Sequence, residues 1–169
     1  MKLLKTSFYT SISTAVTFIS GFIVTKVVAV KIGPAGMSYV GQYQNAIAIM
    51  AMFSTLAITT GVVKYLAEHK DESQKKDLVI STAFIIILIS SAIISLFVFA
   101  ANGFLSNTIF HSNQYADIFL LYGFFVTILA LNSLMASVYN GLKEIKYLTA
   151  VNIAGSLTGI FFTVLFAYK

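Results

Sequence analysis

Residues 78–101 read LVISTAFIIILISSAIISLFVFAA, 24 residues without one ionisable side chain. Wound as an α-helix the stretch is about 36 Å long, enough to cross a hydrocarbon core of about 30 Å. It is too long for a strand, which usually has about 5–6 residues. It also lacks the polar face that a helix on a soluble domain turns to water. Working outward, EHKDESQKKD (Glu68–Asp77) precedes it as a solvated connector and Asn102–Ala116 follows as an expected polar loop. Four further apolar segments flank these: about Phe8–Val30, Tyr43–Leu66, Asp117–Asn140 and Tyr147–Tyr168. Lys31 and the turn Gly33-Pro34-Ala35-Gly36 close the first, and Gly141–Lys146 forms a short charged turn before the last. Five long apolar runs in series predict an all-α, polytopic membrane helix bundle, a single transmembrane domain over residues 1–169. A cleaved signal peptide is the competing account of the first segment, with Lys2 and Lys5 as its basic end. The Ser/Thr content, and the want of a small-x-small cleavage site before Gly21, weigh against it.

Composition agrees. Of the 169 residues 58% are hydrophobic and 10% charged, with a mean hydropathy of +0.88, where soluble domains run near 45–50% and about 25%. A soluble enzyme, a disordered tail and a disulfide scaffold are excluded; there is no cysteine. The net charge of +5 comes from 11 lysines scattered among apolar runs, not gathered into a basic patch, so no nucleic-acid partner is implied. The lysines mark topology instead. With the N-terminus inside, eight of them (2, 5, 64, 70, 75, 76, 143, 146) fall on the inner side and three (26, 31, 169) on the outer, as the positive-inside rule requires. Tyr9, Tyr65, Tyr139 and Tyr147 at inner boundaries, and Tyr39, Tyr43, Tyr115 and Tyr168 at outer ones, fit an interfacial aromatic belt. An odd number of spans leaves the C-terminus outside, directly after a helix. The expectation is a chain cut from, or assembled into, something larger.

Polar groups within spans are costly and often functional. Lys26, 18 residues and about 27 Å beyond Phe8, either snorkels to the outer headgroups or faces an anionic substrate in a water-filled cavity. Lys64, one turn from the inner end of the second span, carries the same two readings. On a continuous helix it shares a face with Gln42, Ala46, Phe53, Ala57 and Thr60, polar at both ends and small or aromatic between. Ser7, Thr10, Thr14, Thr17, Gly21 and Thr25 form a polar stripe on the first helix. Asn152, Ser156, Gly159 and Thr163 form another on the fifth, which also holds the motif Gly155-x-x-x-Gly159. Such faces commonly pack helices closely. Asn132, mid-span, needs an interhelical partner or contacts a ligand. Nothing reads as catalytic: His69 and His111 lie in loops without metal-ligand spacing, Asp117 complements a helix N-terminus, and no nucleotide motif appears. No enzyme, metal or cofactor is expected.

The pattern K-x-x-A-x-x-x-G-P-A-G (Lys26, Ala29, Gly33–Gly36), with Ser13-Thr14, Gly21, Gly41-Gln42 and then G-x-x-K-Y-x-A (Gly61, Lys64-Tyr65), resembles the amino-terminal end of Wzx-type O-antigen and enterobacterial common antigen translocases. These are lipid-linked oligosaccharide flippases of the multidrug/oligosaccharidyl-lipid/polysaccharide exporter superfamily. The tight part of the match covers about residues 1–77. The resemblance implies a MATE-like fold of about twelve helices in two lobes, of which this chain would supply the first five, in the bacterial inner membrane. It also implies an undecaprenyl-pyrophosphate-linked sugar repeat as substrate, moved by alternating access, and cavity roles for Lys26 and Lys64; Gln42, Thr60 and Asn132 are candidate polar wall from their own positions in the spans. The partners implied are the lipid bilayer, that lipid-linked substrate and the remainder of the transporter or other membrane helices. A drug or cation exporter of the same superfamily is an alternative, although none of the six acids lies mid-span. A non-transporting membrane scaffold is another.

Overall fold

The structure, a computed structural model, describes residues 2–167, with side chains from Ser7 onward. The expected sides of Lys2, Lys5, Tyr168 and Lys169 lie outside the described side chains. The described residues form α1 (Lys2–Thr55), α2 (Ile58–Glu68), α3 (Ser73–Phe110), a 3-10 turn (Asn113–Tyr115), α4 (Ala116–Gly141) and α5 (Ile145–Ala167). Four stretches are long and apolar enough to cross a bilayer: Ser7–Thr55, Ser73–Phe110, Asn113–Gly141 and Ile145–Ala167. The protein is thus an all-α, multi-pass membrane protein, but its helices are divided differently from the five expected segments.

The first difference is at Gly33. Its backbone (φ 68°, ψ −176°) breaks α1 into two limbs, a conformation open to glycine. The second limb then starts at once, rather than near Tyr43. Pro34 explains this, since its fixed φ and missing N–H suit the first position of a helix. Gln42, Gln44 and Asn45 therefore lie inside a helix and not at its entry.

The second difference is mid-span. The expected single helix over Tyr43–Leu66 is interrupted at Leu56 (φ 47°) and Ala57 (φ 53°), two consecutive non-glycine residues in left-handed backbone. In an unbroken helix Ile58 N–H would bond the carbonyl of Ser54. Here Ser90 Oγ of α3 donates to that carbonyl at 2.5 Å. Ser54 Oγ donates back to Met50 O at 2.8 Å, and Thr55 Oγ1 to Ala51 O at 3.2 Å and to Met52 O at 3.3 Å.

The third is at the end of α3. The expected loop over Asn102–Ala116 is helical as far as Phe110. Its polar residues close on nearby carbonyls and side chains: Asn102 Nδ2 donates to Phe99 O at 2.6 Å, Ser106 Oγ to Ser112 O, and Asn107 Nδ2 to Asn113 Oδ1 at 2.9 Å. Phe110 packs against Tyr115 and Phe119, with ring centroids 4.9 and 5.8 Å away. With 38 residues, α3 is about 57 Å long and outruns the hydrocarbon core. The connector from α2 to α3 shrinks to His69–Glu72, where Glu72 pairs with Lys75 at 2.8 Å and with His69 Nδ1 at 3.0 Å.

The chain divides into two compact units, Met1–Tyr39 with Glu144–Lys169, and Val40–Lys143. In the second, Val62 and Leu66 of α2, Ala83 and Ile87 of α3, and Ala130, Leu134 and Val138 of α4 form one buried cluster. Met50 of α1, Val98 and Phe110 of α3, and Phe119, Tyr122 and Val126 of α4 form the other. Close approach depends on two glycines of α4. A Cβ at Gly141 would stand 2.9 Å from Leu66 Cβ and 3.2 Å from Val63 Cα and O, and one at Gly123 3.3 Å from Val98 Cγ1. Ser95 Oγ adds a 2.6 Å bond to Gly123 O. Gly155 and Gly159 have no neighbour within 4 Å of an added Cβ, so the close packing open to that motif occurs on α4 instead. In the first unit, Lys146 Nζ lies 6.0 Å from the ring centroid of Tyr9.

Candidate functional site: a hydroxyl-lined groove and two lysines

The first unit holds a groove of about 630 Å³, lined by Ser13, Thr14, Thr17, Phe18, Gly21, Phe22 and Thr25 of α1 and by Asn152 of α5. Two rows of residues at i, i+4 spacing build its α1 wall, since such residues stack on one helix face. Ser13, Thr17, Gly21 and Thr25 form a polar row about 18 Å long. Thr14, Phe18 and Phe22 form the adjacent row, with the two rings edge to face at 5.0 Å. Lys26 is the next position of that second row and is exposed.

Across the groove, Thr17 Oγ1 and Ser156 Oγ lie 3.3 Å apart. Ser156 Oγ donates its only proton to Asn152 O at 2.8 Å, so Thr17 is the donor to Ser156. The polar stripes of the first and fifth helices, expected as packing faces, thus meet at the Thr17–Ser156 hydroxyl pair and wall an open groove. The chemistry on offer is neutral hydrogen bonding beside aromatic faces with a cation at one end. No lining side chain is a base able to activate a nucleophile.

In the second unit, Thr60 and Lys64 lie one turn apart on α2, both exposed, while Val62 and Leu66 fill its buried side. The face that was to join them to Gln42 does not exist as one helix face, because the break at Leu56–Ala57 interrupts its register. Gln42, Ala46 and Phe53 instead line a groove against α3, of about 680 Å³. Asn132 is exposed on α4, and its neighbour Ser133 lines a smaller cavity of about 290 Å³ with Ser54, Thr55 and Tyr122. Of the five residues singled out from sequence, the structure brings Thr60 and Lys64 together, sets Lys26 beside the hydroxyl groove, and leaves Gln42 and Asn132 at separate places in the second unit. The groove itself was legible only as stripes: the i, i+4 hydroxyl row was the signal, and its pairing with α5 was not.

Long apolar helices carrying polar rows and lysines on exposed faces define a multi-pass membrane protein. The chain belongs to the polysaccharide biosynthesis protein family, whose sequence model matches residues 3–169. It is 28% identical over 160 residues to the lipid III flippase of Escherichia coli K12, and equally to that of Shigella flexneri, covering 95% of this chain and 38% of either relative. The chain therefore spans well under half the length of these curated relatives. No solved structure matches it significantly.

Proposed function

We propose that the chain forms the amino-terminal part of a lipid-linked oligosaccharide flippase of the Wzx type in the bacterial inner membrane. Its substrate is an undecaprenyl-pyrophosphate-linked repeat of the O-antigen or enterobacterial common antigen class, carried across by alternating access between two MATE-like lobes. The observation that carries this reading is the groove of the first unit, in a chain of the polysaccharide family. Its hydroxyls and the Asn152 amide suit sugar hydroxyls, Phe18 and Phe22 suit the apolar faces of sugar rings, and Lys26 at the end of the row suits the diphosphate. Lys64 with Thr60 supplies a second cationic, hydroxyl-bearing position, and Gln42 and Asn132 supply polar wall. The work is translocation, not catalysis: no covalent bond changes, so neither a nucleophile nor a cofactor has a task.

Introduced at the native locus, Lys26→Ala and Lys64→Ala should each lower surface polysaccharide at least severalfold while membrane levels of the protein stay unchanged. Retained polysaccharide in both would make the lysines interfacial anchors and defeat the cavity assignment. Thr17→Val should lower it less, since one neutral hydrogen bond is worth only about 0.5–1.5 kcal/mol.

A further inference from the structure

The second unit carries a separate groove, between the second limb of α1 and the outer half of α3. Its lining changes character with depth. With the N-terminus inside, as the lysine distribution predicts, Gln42, Asn45, Thr108 and His111 line the end nearest the outer surface, and Phe53, Ile94 and Phe97 the end nearest the membrane centre. Along the helices, Phe53 is about 12 Å below Asn45, and Ile94 about 21 Å below Thr108. One leaflet contributes about 15 Å of hydrocarbon, so the apolar floor matches the outer leaflet's tail region and the polar end its headgroups. The floor is open, with Phe53 56% and Phe97 52% exposed. The volume of about 680 Å³ lies within the roughly 300–1,000 Å³ typical of ligand sites.

The charge of the lining narrows the occupant. No lysine, aspartate or glutamate lines the groove. The polar end offers two amides, a hydroxyl and an imidazole, which both donate and accept hydrogen bonds. An anionic headgroup would find no lysine there, whereas a zwitterionic one finds acceptors for its ammonium and donors for its phosphate. We infer that this groove binds one outer-leaflet zwitterionic phospholipid, its headgroup at Asn45, Thr108 and His111 and an acyl chain along Phe53, Ile94 and Phe97. Gln42 lines this groove as well, but the assignment does not rest on it, and its test measures no transport, so it stands or falls apart from the flippase reading.

The test uses the full chain purified in detergent, titrated with phosphatidylethanolamine or phosphatidylglycerol and read by native mass spectrometry. The wild type should retain one phosphatidylethanolamine with roughly tenfold preference over phosphatidylglycerol, the scale of one or two hydrogen bonds. The pair Asn45→Leu and Thr108→Val should remove that preference while leaving a lipid bound, and Ala46→Trp, which fills the groove, should remove the lipid. Circular dichroism confirms that each variant is folded; the Asn45/Thr108 pair keeps the idea testable if Ala46→Trp is not. Equal retention of both lipids by the wild type, an unchanged preference in the pair, or lipid retained by a folded Ala46→Trp would overturn the assignment. So would a second copy of the chain crosslinking through cysteines placed at Asn45 and Phe97.

Discussion

Gly141→Ala should loosen the contact between α2 and α4. The added Cβ would lie 2.9 Å from Leu66 Cβ and 3.2 Å from Val63 Cα and O, where carbon atoms prefer about 3.5–4.0 Å. None of these atoms escapes by a rotamer change, so the two helices must part by several tenths of an ångström at this end. Val62, Leu66, Leu134 and Val138, all in the same buried cluster, then lose contact. Overpacking of this kind costs about 1–3 kcal/mol. The helix preference of Ala over Gly returns at most about 1 kcal/mol, and less at Gly141, the last residue of α4. The net expectation is destabilisation by about 1–2 kcal/mol. Gly61→Ala is the matched control: it lies within α2, and its Cβ would meet nothing within 4 Å. It should stabilise by about 0.4–1 kcal/mol. The two variants should therefore differ by about 2 kcal/mol, a factor of roughly 30 in the unfolding equilibrium. Reversible unfolding in mixed micelles with rising dodecyl sulfate, followed by circular dichroism and tyrosine fluorescence, measures both. Coincident midpoints for the two variants would refute the close approach at Gly141.

Ser90→Ala removes the hydroxyl that takes the Ser54 carbonyl and should cost about 1 kcal/mol, the usual scale for such bonds within membranes; unchanged stability in the same assay would detach Ser90 from the helix break. Glu72 supplies a pH test. The Lys75 hydrogen bond first, and the His69 one second, hold its carboxyl below the ordinary value of 4.5. A lowered folded-state value means that the stabilisation is complete above 4.5 and disappears as pH falls through the lowered value. A carboxyl carbon NMR titration should place the Glu72 midpoint below 4.5 in the wild type and nearer 4.5 in Lys75→Ala, and a wild-type midpoint at or above 4.5 would contradict the pairing.

Apolar run length made the helical, membrane-spanning class legible, and Lys31 with Gly33-Pro34 marked the first break correctly. Pro34 was also misleading, since the residue that ends one helix begins the next without a loop. The break at Leu56–Ala57 had no local signature: neither residue is Gly or Pro, and the hydroxyl that takes the freed Ser54 carbonyl, that of Ser90, lies on α3. The extension of α3 to Phe110 was hidden by Asn102, Ser106 and Asn107, polar types that suggest a loop but here bond nearby carbonyls and side chains. For the candidate site, the hydroxyl row of α1 was visible as a periodicity. What it would face was not, because the partner side chain Ser156 lies 139 residues away. The constellation through Gln42 and Lys64 failed for one reason, a helical register assumed to run through position 56.

The broken second span also has an order of events built into it. Ser90, which occupies the Ser54 carbonyl, is made 36 residues later, about 2–7 s at ordinary rates of synthesis. Until then residues 43–66 have only their own backbone to bond with, and hydrocarbon penalises every unpaired amide. The segment is therefore expected to enter the bilayer as an unbroken helix, its left-handed corner forming once the next helix arrives to hold it, which would make the bend a product of assembly and not of insertion.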